Sequence, residues 1–388
     1  MQGLSASVLV IAAVATGLAQ SPAPQVWTMQ DSGTTAGLRG IDSVDGTVAW
    51  ASGTGGTVLR TVDGGAHWTR CATPDAAKDG ATLDFRGVQG WDAQMAIVMA
   101  SGPGDKSRLY KTADGCGKWN LIFENPDRGG FWDTLRFHDR AHGFILGDPV
   151  AGRFILFFTL DGGKHWGRVN TGDLDAPNAG IGAFAASNSA LSLGYEGMPL
   201  FGTSGPDGPW LYVPDSVCTM LTAQEYPAAC FDGFLHFRKV KLPLAGDSSS
   251  TGIFSIAFRP DKARFIVVGG DYARPDATQG TAASIIPFLL EPRVAAAVKP
   301  PHGYRSSVEW SESLHAWITA GANGSDISRD DGRTWQPIDN GNWNALSLPF
   351  VVGPNGRIAR LDPSAIPAAA ALPPAAVQPA QKAGIPHR

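Results

Sequence analysis

Charge of either sign is scarce in this chain. Only 17% of the 388 residues are Asp, Glu, Lys or Arg, and 31 basic against 35 acidic groups leave a net charge of −4. With no excess of positive charge there is no global field to draw in a polyanion, which argues against nucleic acid as a partner. Cysteine is nearly absent as well. Cys71, Cys116, Cys218 and Cys230 form no CxxC pair, and the eight histidines are scattered outside ligand spacing, so no metal site is expected. An even number of cysteines is compatible with two disulfides, Cys71–Cys116 between neighbouring repeats and Cys218–Cys230 closing a local loop, in an oxidising compartment. The apolar stretch Leu9 to Leu18, followed by Ala19-Gln20-Ser21-Pro22, has the length of a signal-peptide core, short of a membrane span. No Lys or Arg precedes it. Residues 1–19 are therefore read as a signal peptide, with export to the periplasm or the exterior and no transmembrane segment in the mature chain; the alternative is a buried strand or helix. After Gly53-x-Gly55 the third glycine of a dinucleotide fingerprint is missing and no helix pattern follows, so no cofactor is expected.

What the chain has is glycine, at 48 residues, and 12 tryptophans, the balance of many short strands joined by tight turns and packed through aromatics. Four segments share the form Ser/Thr-x-Asp-x-Gly-x-x-Trp: TVDGGAHW from Thr61, TADGCGKW from Thr112, TLDGGKHW from Thr159 and SRDDGRTW from Ser328. The first three start at intervals of 51 and 47 residues, about one four-stranded propeller blade. A degraded fifth copy, TSGPDGPW, is read from Thr203. In each copy the hydroxyl (Thr61, Thr112, Thr159, Ser328) and the carboxylate (Asp63, Asp114, Asp161, Asp330) are suited to bond turn amides. The glycines, among them Gly65, Gly163 and Gly332, accept positive φ. The indoles of Trp68, Trp119, Trp166 and Trp335 start the next strand. Alternation and turn signals give blades near 38–71, 85–123, 131–169, 183–243, 253–300, 304–338 and 344–361. The last has room for three strands, and Val26 to Met29 resembles the strand after a box. The expectation is an all-β, seven-bladed β-propeller over residues 25–361, closed by the N-terminal strand. A Pro/Ala-rich tail over 362–388 reads as disordered.

These turns resemble the Asp boxes of BNR type found in sialidase-like propellers. LRGIDS, SRLYKTADGCGKW, GFWD, LGDPV, GIFSIAF, VVGGDYARPD and NGSDIS, in this order, further resemble the bacterial family related to photosystem II stability and assembly factors. That resemblance implies a non-catalytic binding or assembly role, with an exported or membrane-protein segment as partner. The alternatives are a glycoside hydrolase of sialidase-like type and a carbohydrate-binding module that holds a glycan. Against hydrolysis, no FRIP-type arginine motif stands near the N-terminus, and adjacent residues such as Tyr195 and Glu196 face opposite ways on a strand. Two regions depart from the family: SIIPFLLEPRVAAAVKPP, where the fifth blade should carry a box, and an insertion over 211–234.

Blade topology sets the box turns on one face, as scaffold, and collects the strand-linking loops and the starts of the innermost strands on the other. That opposite mouth is expected to gather Arg39, Arg86, Asp133, Arg136, Asp148, Asp271, Arg305 and Asp326 as candidate partner-binding groups. Mutual salt bridges are the competing reading. Trp132 and Tyr272 are either exposed anchors or packing between blades.

Overall fold

A computed structural model of the chain describes residues 25–194, 197–214, 235–287 and 291–366. Its seven sheets are each four-stranded and antiparallel throughout. Blade 1 runs Leu38–Ser43 (β2), Ala49–Gly53 (β3), Thr57–Thr61 (β4) and Thr69–Arg70 (β5), and the next five blades follow in chain order. The seventh takes its outermost strand from the other end of the chain. Trp27–Gln30 (β1) pairs with Ile358–Leu361 (β28) in the register Trp27 to Leu361, and the indole of Trp27 donates to Ser325 Oγ at 2.8 Å in blade 6. Closure of this kind ties the two ends of the described chain into one blade, leaving as edges only the short outer strands of the blades.

The repeated turn works as its residue types dictate. Thr61 Oγ1 accepts from Gly65 N at 2.9 Å and donates to Asp63 Oδ1 at 2.8 Å, while that carboxylate accepts from His67 N at 2.9 Å. The same bonds recur at Thr112, Thr159 and Ser328. Each indole packs against the preceding blade: Trp68 on Phe350, Trp119 on Trp50, Trp166 on Phe123, and Trp335 beside Ile266. The turn is thus a hairpin cap and an inter-blade wedge at once. Where three copies place glycine in the left-handed region, the second has Cys116 at φ 80, and its sulfur is bonded to Cys71 at the end of β5. That disulfide, with Cα atoms 5.2 Å apart, joins blade 1 to blade 2.

Gly64, Gly115 and Gly162 donate to the carbonyls of Thr47, Gln94 and Ala141, so the repeated turns lie beside the turns between first and second strands. We call this the lower face. TSGPDGPW does not belong to it. It links Pro199–Gly202 (β15) to Trp210–Pro214 (β16), the second and third strands of blade 4, and so lies on the upper face. The spacing of a loop rich in Gly and Asp followed by Trp is met equally well by a different hairpin. The connection that would hold a fourth-blade copy falls in 215–234, outside the described residues, as do Cys218 and Cys230, Tyr195 and Glu196, the apolar leader, and the tail beyond 366. Blades 4 and 5, despite their departures, each form four strands. Among the described residues no helix is long and apolar enough to cross a membrane.

Candidate functional site

The innermost strands of blades 1, 2, 3 and 5 share an irregularity. Their ladders slip between Leu38 and Gly40, Phe85 and Gly87, Trp132 and Thr134, and Ile253 and Ser255. The extra residue of each bulge is Arg39, Arg86, Asp133 or Phe254. A bulge re-aims one side chain out of the alternation of its strand, here at the upper end of the central channel.

Arg39 and Arg86 consequently line the upper mouth, a cavity of about 460 Å³ walled also by Phe184, Phe254, Tyr272 and Tyr304. Both guanidinium groups reach the same oxygen: Nε of Arg86 is 2.8 Å, and Nε of Arg39 3.3 Å, from Asp84 Oδ2. Two cations thus share one carboxylate, and their side chains remain 34% and 27% exposed. Burial lowers the Arg39 pKa against the opposing pull of Asp84. Around them Phe184 stacks on Phe254 at 3.6 Å between centroids, and Tyr272, 53% exposed, stands edge-on to both. Tyr304 meets Phe254 edge-on at 4.7 Å, and burial pushes its phenol up. Apart from the Asp84 that the two guanidinium groups share, no acidic residue lines this mouth among the described residues. A larger outer groove of about 780 Å³ lies between blades 4 and 5, but its two best-exposed charges, Asp247 and Arg274, face each other at 3.9 Å, and Arg274 also binds Asp271.

The other expected residues lie elsewhere. Trp132, 0% exposed, is wedged between Phe123 and Phe157 and offers no face to a partner. Arg305 and Asp326 are both 0% exposed, with Nε to Oδ2 at 2.7 Å. The guanidinium also donates to Tyr304 O and Asn323 Oδ1, and His302 holds the second Asp326 oxygen. This pair is closed within blade 6, so Arg305 and Asp326 belong to the framework. Asp133 is buried; burial first, then the neighbouring Asp148, holds its carboxyl well above the usual range. Asp148, itself raised by burial, accepts from Ala183 N at 2.9 Å, under the segment that carries Phe184. Asp271 is buried and bonds Arg274 at 2.6 Å and the Ala273 amide, fixing the turn that lifts Tyr272 outward. Arg136 faces the channel from its lower half.

Between the halves runs a belt of hydroxyl and amide groups that residue patterns did not announce. Ser187 Oγ donates to Ser306 O at 2.6 Å, Ser189 Oγ to Ser255 Oγ at 2.8 Å, and Asn188 takes the Leu135 amide at 2.7 Å while reaching Val88 O. This stretch before the short inner strand of blade 4 (Leu191–Leu193, β14) is therefore tied to blades 2, 3, 5 and 6. Ala185 and Ala186 line the upper mouth and residues 187–189 the lower half, so the belt lies between the two cavities.

No family model matches the sequence, and no curated protein matches it. Solved structures do match in fold. A structure of YCF48 bound to D1 peptide superposes with a TM-score of 0.58 at 16% identity, over 90% of this chain and 99% of that one. YCF48 from Cyanidioschyzon merolae gives 0.56 at 17% identity, over 87% and 99%. These likenesses carry the propeller architecture.

Proposed function

We propose that the chain is a non-catalytic binding propeller of assembly-factor type that acts after export and holds a partner's peptide segment at the upper mouth. The observation that carries this reading is the sharing of Asp84 by Arg39 and Arg86: the cluster keeps one uncompensated positive charge beside partly exposed aromatic rings. Such a surface suits a segment that offers a carboxylate and an apolar or aromatic side chain, through charge-assisted hydrogen bonds and ring contacts. The likeness to YCF48 bound to D1 peptide supports a peptide as the occupant. Export is supported by the apolar leader and by the Cys71–Cys116 disulfide, which suits an oxidising compartment. A glycoside hydrolase would need an acid and a base at the mouth, whereas Asp84 is held there by Arg39 and Arg86 and the other wall residues carry no carboxylate.

The test is recovery of partners from the native host with the mature wild-type protein, against the double variant Arg39→Gln/Arg86→Gln. A partner segment that binds the wild type and is lost from the folded double variant supports the reading. Equal recovery by both would reject the mouth as the binding site.

A further inference from the structure

Below the hydroxyl belt the channel widens into a second chamber of about 470 Å³, lined by residues of all seven blades and set between the lower ends of the innermost strands. Its charged groups are Asp42, Arg136 and Glu309, alongside the surface residue His138. Among the described residues no hydrogen bond or ion pair within 4 Å is made by the Arg136 guanidinium, whose five donors form a fork matched to a carboxylate. Arg60, Arg86, Arg305 and Arg360 by contrast all bond protein acceptors.

The two carboxylates are half-satisfied. Asp42 Oδ2 accepts from Gly90 N at 2.7 Å and Gln89 Nε2 at 3.1 Å, and Glu309 Oε2 accepts from Leu348 N at 2.8 Å. The second oxygen of each has no hydrogen-bond donor among the described residues. Arg136 is near enough to act on both electrostatically and too far to bond either. The chamber therefore gathers one guanidinium and two carboxyl groups whose hydrogen-bonding capacity the described residues leave partly unused. Its remaining wall is mixed, with Phe258 beside the buried Ile256 and Leu346 on one part and the polar Gln89, Asn188, Ser192 and Ser347 on another. The volume is that of a small-molecule site.

We propose that this lower chamber binds a free α-amino acid with an apolar side chain, its carboxylate on Arg136, its ammonium between Asp42 and Glu309, and its side chain against Ile256, Phe258 and Leu346. Only a ligand bearing both charges satisfies all three groups together. A simple carboxylate leaves the acids unmatched, and a simple amine leaves Arg136 unmatched. The site opens on the face opposite the peptide mouth and does not depend on the peptide reading.

The experiment is calorimetric titration of the full mature chain with L-leucine, and with leucinamide and 4-methylpentanoate, which lack the carboxylate and the amine. The expected result is saturable leucine binding, each analogue weaker by at least about tenfold, and a similar loss in Arg136→Gln. Arg70→Gln, on the exposed outer strand of blade 1, is expected to hold leucine within about twofold of wild type. Circular dichroism checks that each variant is folded. Should Arg136→Gln fail to fold, Arg136→Lys keeps the charge without the fork and is expected to bind several-fold more weakly. No binding of leucine, isoleucine, valine or phenylalanine to the wild type overturns the proposal, as does equal binding of leucine to the folded Arg136 variants. Leucinamide binding as tightly as leucine would likewise overturn it, leaving a simple cation site.

Discussion

Arg305 in blade 6 and Arg86 in blade 2 sit at matching places in the fold, each near the start of an innermost strand, and their surroundings are opposite. Arg305 has a carboxylate of its own, two further acceptors and no exposure. Arg86 divides one carboxylate with Arg39 and keeps a quarter of its side chain in solvent. The first arrangement is complete without a ligand, whereas the second has donors and charge to spare. An arginine is a candidate for recognition when its acceptors are fewer than its neighbours need, and part of the frame when they are not.

The largest effect expected from breaking this contrast is at the closed pair. Asp326→Ala leaves a buried guanidinium without a counter-charge and is expected to cost about 3–5 kcal/mol in denaturant unfolding. Asp84→Ala, at a partly solvated cluster, should cost about 1 kcal/mol or less by the same measurement. Similar losses for the two would erase the distinction. Next in size, Arg39→Gln/Arg86→Gln is expected to weaken peptide binding by at least about tenfold while the melting temperature stays near wild type. Tyr272→Ala, which removes an exposed ring over Phe184 and Phe254, should cost a smaller factor of about threefold in affinity.

The smallest effect concerns carboxylates. Burial, offset in part by the Gly90 and Leu348 amides and by Arg136, raises Asp42 to about 6 and Glu309 to about 7. A carboxyl whose folded value lies above its unfolded value stabilises the fold at low pH, and that contribution is lost as pH rises through the folded value. The melting temperature of Asp42→Asn/Glu309→Gln should therefore gain on wild type between about pH 5 and pH 8. A difference that stays flat over that range would show the two acids to be unperturbed.

The architecture was largely legible because its signal is local. The hydroxyl, carboxylate and glycine of the repeated turn bond one another within five residues, so sequence spacing carries the structure, and the Trp27 strand was recognisable as a missing fourth strand. TSGPDGPW shows the limit of that signal, since turn chemistry does not say which two strands the turn joins. The site was less legible. Arg39, Arg86 and Tyr272 were picked out, but Phe254 was not, although IFS stands in GIFSIAF where LRG stands in LRGIDS and FRG in FRGVQG. Those strands placed in register would have revealed it. Phe184 and the belt at 187–189 lie in a connection without periodicity, and their positions follow from contacts with distant blades. Burial decided the rest: nothing near Arg305 in sequence marks it as enclosed, because Asp326 and Asn323 reach it from a neighbouring strand and turn.

The most direct test of the account is at the upper mouth. Peptides selected for binding to the wild-type protein from a library carrying acidic and aromatic residues would be titrated against the folded Arg39→Gln/Arg86→Gln variant, with hydrogen exchange read on the wild-type complex. The account predicts an affinity loss of at least about tenfold and protection confined to segments around 184–186 and 270–274. Undiminished binding by the double variant, or protection on the face of the repeated turns, would contradict it.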